Sequence, residues 1–303
     1  MDKLAAMRAF VAIVDRGSLS AAALALERSL PTMVRMLAAL ERSLGVVLLR
    51  RTTRRMSLTP EGRVYLERCR RILADVAETE DVVGAARAEP RGRLRVTAPV
   101  LFGQMHVAPA IAAFLAQHPA VQIELMLVDR VLDLVDDGID AAVRIARLPD
   151  SSAIAIPVGT MRRVVCASPS LVRRVGVPRD PQDLAARPCV RFQGLAPNAV
   201  WHFEDAGRPL AVPVDGPLTT NQSAAAVTAC VAGLGFGLFL SYQVAAEVRA
   251  GRLRVVLPRY EPPPLPVSLV YPEARLVFPR LRVFLDWMTR HLRGQKIGAL
   301  PGK

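Results

Sequence analysis

The sequence predicts an α/β protein. A small helical head with a winged helix-turn-helix and a long connecting helix precede a larger domain built from two runs of alternating strands and helices. Three observations predict this. Apolar residues recur on a helical period in three short segments before residue 45, an arginine-loaded hairpin pattern follows, and beyond residue 92 strand-like and helical patterns alternate twice.

Residues 2 to 16 carry Leu4, Met7, Phe10, Val11 and Val14 on one helical face. Gly17 ends that helix, and Ser18 caps the next, "SLSAAALALE", whose alanines permit close packing. Arg28 and Ser29 then turn the chain into "SLPTMVRMLAALERSLG" (29–45), where Met33, Leu37, Leu40 and Leu44 form the buried stripe. The tight turn between the second and third helices reads as a helix-turn-helix. The face opposite the stripe shows Pro31, Thr32, Val34, Arg35, Ala38 and Arg42, a mixture poor in polar groups. After Gly45, Val46 to Leu49 and Met56 to Leu58 are strand-like and flank "RRTTRR" (50–55), the wing. Fourteen Lys and Arg stand against six Asp and Glu between residues 1 and 73. Arg50, Arg51, Arg54 and Arg55 are therefore read as phosphate contacts, which need charge and no base identity.

Pro60 starts a helix able to run to about residue 88. Tyr65, Cys69, Ile72, Val76, Thr79, Val83 and Ala86 recur at spacings of 4 and 3, an unbroken heptad seam. At 1.5 Å per residue it would span roughly 40 Å. A narrow stripe of that length needs a partner, most simply its twin in a dimer, and two heads address two half-sites. The division is thus 1–59 for the head, 60–88 for the linker helix, 89–92 ("EPRG") for a hinge and 93–303 for the remaining domain.

In that domain "LRVTAP" is a buried strand, "VAPAIAAFLAQHP" a helix and "VQIELMLV" a second strand. "VLDLVDDG" reads as a short helix feeding the strand "IDAAVRIA", an organisation that implies parallel strands. A second run begins near "RRVVCASP" and passes through "CVRF" and "LTTNQSAAAVTACVAGLGFGLFL" to "LRVVLPRY". "EPPPLP" then leads into "VSLVYP" and the closing helix "FPRLRVFLDWMTRHL". Two similar runs imply two subdomains, about 93–161 with 267–303 and about 162–266, with a cleft between them.

Net charge is +13, from 40 Lys+Arg against 27 Asp+Glu, which suits an anionic partner without choosing among nucleic acid, membrane surface and acidic ligand. Cys69, Cys166, Cys189 and Cys230 stand far apart with no CxxC and read as reduced, buried thiols of a cytoplasmic protein. Charges at Asp2, Lys3, Arg8 and Asp15 interrupt any signal-peptide core, and no stretch is read as approaching about 18 uncharged apolar residues, so no membrane span is expected. His106, His118, His202 and His291 lack metal-ligand spacing, so neither metal nor cofactor is expected. "GLGFG" (233–237) follows a helix and enters a strand, the reverse of a dinucleotide loop. No Ser-His-Asp set or carboxylate pair marks an enzyme.

Taken together, "AFVAIVDRGSLSAAALAL", "LERSLGVVLLRRTTRRMSLTPEG", "LVDDGIDAAVRIA", "VVCASPSLVRRVGVP", "VAGLGFGLFL" and "VSLVYP" resemble, in this order and spacing, the LysR-type transcriptional regulators over nearly the whole chain. The resemblance implies a winged helix-turn-helix head, a coiled-coil linker helix and an effector domain folded like a type 2 periplasmic binding protein. It also implies dimers that pair into tetramers on promoter DNA, a small effector that shifts that assembly, and contact with RNA polymerase. The positions it assigns to DNA are Ser18, Ser20, Ser29, Leu30, Pro31, Thr32, Val34, Arg35 and the wing residues Arg50, Arg51, Thr52, Thr53, Arg54 and Arg55. Three positions depart from the family. Glu27 stands where a small residue or glycine is usual, Leu30 where a polar residue, often Gln, is usual, and Val34 where Ser is common. Val34 and the Thr32 methyl suit thymine methyls; alternatively Leu30 and Val34 pack on the wing and read nothing.

For the effector, the resemblance assigns Pro99, Val100, Leu101 and Phe102 after the first strand and Asp129 and Arg130 after the second. Arg144 and Arg147 follow on the third, and Asn221, Gln222 and Ser223 precede the helix "AAAVTACVAG". A helix N-terminus with free N–H groups suits a carboxylate, although Asn221 could equally be a plain cap. Arg144 or Arg147 suits an acidic ligand, or else pairs with Asp129, Asp133 or Asp136. Pro99 and Val100 make the first loop less polar than a Ser/Thr loop, which points to a partly apolar organic acid. Two other readings compete: an effector-independent DNA-binding repressor or architectural protein with a degenerate cleft, and an enzyme with a DNA-binding head.

Overall fold

The computed structural model describes residues 2–51, 56–84, 90–148, 153–273, 278–295 and 297, without the side chains of 51, 75 and 77–84. The chain divides into two compact units, Met1–Ala88 and Glu89–Lys303.

In the first unit, α1 (Lys3–Arg16), α2 (Leu19–Ala25) and α3 (Leu30–Leu44) each begin on a side-chain cap, from Asp2, Ser18 and Ser29. Gly17 and Gly45 end α1 and α3 at positive φ. The buried side of α3 is the expected one: Met33, Leu37 and Leu40 lie inside and Leu44 is half-buried. The buried side of α1 differs from the reading above. Ala6, Ala9, Phe10 and Ile13 lie inside, Leu4 is exposed, and Met7, Val11 and Val14 are half-buried at the rim. Alanines on α1 and α2 let the helix axes approach, so the larger side chains are displaced to the flanks.

The wing strands are β1 (Leu49–Arg51) and β2 (Met56–Leu58), antiparallel with Leu49 opposite Leu58. The first begins later than expected, since Val46 and Val47 are exposed and only Leu48 and Leu49 turn inward. Its base is tied to α3 by Glu41, whose Oε1 accepts the N–H groups of Leu48 (2.8 Å) and Leu49 (3.2 Å). Residues 52–55 lie outside the described residues.

α4 (Pro60–Gly84) follows. Gly62 is required at its start, because a Cβ there would lie 2.1 Å from the Leu48 carbonyl oxygen. The heptad seam divides. Cys69 is buried in the head core, Tyr65 packs against that core and its ring lies 5.7 Å from Phe10, while Ile72 is 40% exposed. Its first two positions therefore cover the chain's own head, which corrects the expectation of a continuous intermolecular seam. The side chains of Thr79 and Val83, and all of Ala86, lie outside the described residues.

The second unit runs β3 (Gly92–Ala98), α5 (Val100–Phe102), a π-helical turn (Gly103–Val107), α6 (Ala108–Gln117), β4 (Val121–Leu127), β5 (Ala141–Ile145), β6 (Ala153–Met161), β7 (Arg163–Ala167) and α7 (Pro169–Val175). It continues through β8 (Cys189–Phe192), β9 (Val200–Asp205), β10 (Arg208–Pro213), β11 (Leu218–Thr220), α8 (Ser223–Val231), β12 (Phe236–Leu240), α9 (Ser241–Arg249), β13 (Arg254–Val256), β14 (Leu265–Pro272) and α10 (Pro279–Gly294). Two five-stranded sheets form, ordered β4-β3-β5-β14-β6 and β11-β8-β12-β7-β13, with β9 and β10 as a separate hairpin. The sheets are mixed rather than parallel throughout: β3 runs parallel to β4 and β5, but β14 is antiparallel to β5 and β6, and β7 to β12 and β13. Each sheet has its own core, one around Phe102, Phe114 and Phe284, the other with Trp201 and Phe236 on one face and Cys230 and Phe239 on the other.

The chain crosses between the sheets at residue 162 and between β13 and β14, and a two-pronged ion pair joins these crossings. Arg162 Nε and Nη2 donate to Glu261 at 2.8 and 2.7 Å.

Two further expectations are corrected. "VLDLVDDG" forms turns and no helix, because the Asp133 carboxylate accepts the N–H groups of Val135 and Asp136, both at 2.8 Å, in place of helical carbonyls. The run Val100–Gln117, with 18 residues at mean hydropathy 1.4, does have the length and apolarity of a membrane span. Here Phe102, Val107, Ala110 and Phe114 pack it into the core of the first sheet. Its π turn sits just before Pro109, which has no N–H to continue the regular ladder.

Candidate functional site

Two surfaces hold the residues singled out above, one in each unit. On α3 the polar groups at the N-terminus satisfy one another. Ser29 Oγ accepts the Thr32 N–H (3.3 Å) and shares a 2.8 Å hydrogen bond with Thr32 Oγ1, which also accepts from Arg35 Nη2 at 3.5 Å. Farther along, Arg42 Nε donates to the Ala38 carbonyl. What projects is apolar: Leu30 is 44% and Val34 38% exposed, beside exposed Pro31 and Arg35. Ser18 caps α2 through Ala21, and Ser20 and Arg50 are exposed. Thr52, Thr53, Arg54 and Arg55, and the side chain of Arg51, lie outside the described residues.

Glu27 explains its own oddity. It sits in the turn between α2 and α3 at φ 50°, the left-handed region where a Cβ is strained and glycine is favoured. Glutamate there carries a conformational cost that a glycine would avoid.

In the second unit a cavity of about 440 Å³ is lined by Val100 at the start of α5, Leu127 at the end of β4 and the following Val128, Asp129 and Arg130 on the first sheet's side, and by Gln193, Gly194, Asn221 and Gln222 from the second's loops. Its volume lies in the range of small-molecule sites. Asp129 Oδ1 accepts the Val100 N–H at 3.0 Å and so caps the helical run that starts there. On the opposite wall α8 begins with Gln222 at the cap position and no side-chain cap, so Asn221 is not the plain cap that one reading of the sequence allowed. Thr220 Oγ1 accepts the Gln222 N–H at 3.1 Å, outside the helix proper.

Of the positions read from the sequence, Val100, Asp129, Arg130, Asn221 and Gln222 meet at this cavity. Pro99 precedes the helical run, and Leu101 and Phe102 turn into the core, where the Phe102 ring contacts His106 at 4.7 Å and Tyr242 at 5.4 Å. Arg144 donates through Nη2 to the Leu132 carbonyl at 2.6 Å, and burial lowers its pKa. Arg147 is exposed near Arg163, whose pKa is lowered by burial and then by the Arg147 charge. Ser223 is buried at the first turn of α8. Gln193 and Gly194 were not anticipated. The signal was available: they follow the strand "CVRF" directly, and loops at strand C-termini line clefts in sheets of this kind.

The four cysteines are free and buried. Burial pushes Cys166 and Cys189 up to about 12 and raises Cys230 as well, which favours the neutral thiol over the nucleophilic thiolate. Among the described residues no group of His, Cys, Asp and Glu could hold a metal.

A helix-turn-helix head with a wing, joined to an α/β unit with a cleft between two sheets, defines a DNA-binding regulator that carries its own ligand-binding domain. Residues 4–63 match the bacterial regulatory helix-turn-helix protein, lysR family, and residues 87–293 match the LysR substrate binding domain. The chain therefore belongs to the LysR family of transcriptional regulators, in which effector modulation is typical. It is 36% identical over 300 residues to the uncharacterized HTH-type transcriptional regulator YhjC of Escherichia coli (strain K12), covering 95% of this chain and 97% of that one. It is 32% identical to the HTH-type transcriptional regulator DmlR of the same strain, over 94% and 93% of the two chains. Among solved structures it is similar to CrgA of Neisseria meningitidis, a LysR-type transcriptional regulator, with TM-score 0.61, 30% identity and 96% and 99% coverage. Regulators of this family bind DNA and small-molecule effectors and form oligomers.

Proposed function

We propose that this regulator senses a small, partly apolar organic acid in the cavity and alters its hold on promoter DNA in response. The observation that carries the reading is the cavity itself: both sheets contribute to it, Val100, Leu127 and Val128 supply apolar wall, and the uncapped start of α8 offers N–H groups to a carboxylate. On the DNA side, Arg35 and the wing arginines supply affinity, and Val34 with the Thr32 methyl packs against thymine methyls. The assembly is a dimer joined through the part of α4 beyond Cys69, paired into a tetramer, in the cytoplasm, where the bound complex meets RNA polymerase.

The test selects DNA from a random pool with the full-length protein, then footprints the selected sequence with and without a panel of aliphatic and aromatic acids. Protection of two half-sites that changes in extent or register with an acid supports the proposal. An identical footprint under every acid, with full occupancy throughout, overturns it in favour of an effector-independent binder.

A further inference from the structure

The two walls of the cavity differ in charge character. On the first wall the start of the run Val100–Gln117 already has an anion on it, because Asp129 Oδ1 accepts the Val100 N–H at 3.0 Å. An N-terminus so occupied no longer recruits a carboxylate from solution. Among the described residues Asp129 makes no ion pair, and it is exposed at the cavity wall. One hydrogen bond leaves most of a carboxylate's acceptor capacity open. On the second wall the groups are carboxamides, Gln193, Asn221 and Gln222, together with the open end of α8, and Arg130 adds a cation at the rim of the first. A simple apolar acid matches only the second wall, leaving the open acceptor capacity of Asp129 without a donor from the ligand.

We propose that the molecule bound here is bipolar: an acid that also carries a hydrogen-bond donor, an ammonium or hydroxyl group, a few bonds from its carboxylate. The carboxylate faces the start of α8 and the donor faces Asp129. This rests on the organic-acid reading and narrows it, making Asp129 the residue that separates substituted from unsubstituted acids.

The experiment measures binding of matched sets to the full-length protein by calorimetry: 3-phenylpropionate, phenylalanine and 3-phenyllactate, and butyrate, 4-aminobutyrate and 4-hydroxybutyrate. A donor-bearing member is expected to bind about tenfold more tightly than its unsubstituted parent, since hydrogen bonds to an ionised acceptor are the strong ones. Asp129→Asn keeps an oxygen for the Val100 N–H but removes the charge, and Asp129→Ser keeps a good cap. In both variants, checked for an unchanged melting transition, the preference should shrink to about twofold or less. Equal binding of parent and substituted acids by the wild type overturns the inference and leaves the organic-acid reading standing. A preference that persists in both variants removes Asp129 as its source. Binding by none of the acids, with binding to neutral or cationic analogues, overturns the organic-acid reading and this inference with it.

Discussion

The N-termini of α3 and α8 each follow a short polar entry, yet they are opposites in structure. At α3, Ser29 and Thr32 close on each other and on Arg35, leaving an outward face of Leu30, Pro31 and Val34. At α8, Gln222 stands at the cap position without a side-chain cap, and Asn221 and Gln222 line the cavity just before the helix. A satisfied helix end is a rigid part that presents a surface, whereas an unsatisfied one is a receptor for an anion. In the proposed function the two ends serve two partners: DNA, met by methyl groups and one arginine, and a small acid, met by backbone N–H groups.

That contrast can be broken from either side. Gln222→Asp should close α8 with a carboxylate, raising stability by about 0.5–1 kcal/mol while weakening binding of any acid about 100-fold through like-charge repulsion; melting and calorimetry read the two effects together. Stability gained with acid binding intact would show that the ligand avoids α8. Arg35→Ala is expected to cost about 1–3 kcal/mol on the selected DNA and less on random DNA in an anisotropy titration. Equal losses on both would reduce Arg35 to a phosphate contact. Replacing thymine by uracil in the selected half-site deletes the methyl alone and should weaken binding a few-fold; the same swap should leave Val34→Ala unaffected. Ser29→Ala should cost about 1 kcal/mol in urea unfolding of the head, because it opens an end that α3 needs closed. Glu27→Gly should stabilise by about 0.5 kcal/mol, relieving the left-handed strain ahead of α3; a loss there would mean that the Glu27 side chain holds the turn.

What could be read from the sequence and what could not follows from where the information lies. α3 was legible because cap, stripe and terminal glycine all agree over 17 residues, Ser29 to Gly45. α1 was legible as a helix but not in its orientation, since hydrophobic spacing favours the larger Leu4 and Val11 while packing favours the small Ala6 and Ala9. The heptad of α4 has the same ambiguity on a larger scale. Periodicity shows that Tyr65 and Cys69 are covered, but not whether the cover is another chain or the protein's own Phe10. In the cleft, Asp129 and Gln222 came from the family pattern, while Gln193, directly after the strand "CVRF", lies outside the positions that pattern assigns. Phe102 and Leu101 were placed at the site by position after a strand, yet the helical turn that starts at Val100 carries both into the core.

The most direct test of the whole account joins the two ends in one titration: anisotropy of the selected DNA with full-length protein, repeated across the acid panel and across the matching neutral amides. An acid is expected to shift the DNA affinity at least about fivefold, with its amide ineffective and the shift absent in Gln222→Asp. DNA affinity that responds equally to acid and amide, or that still responds to acid in Gln222→Asp, would contradict it.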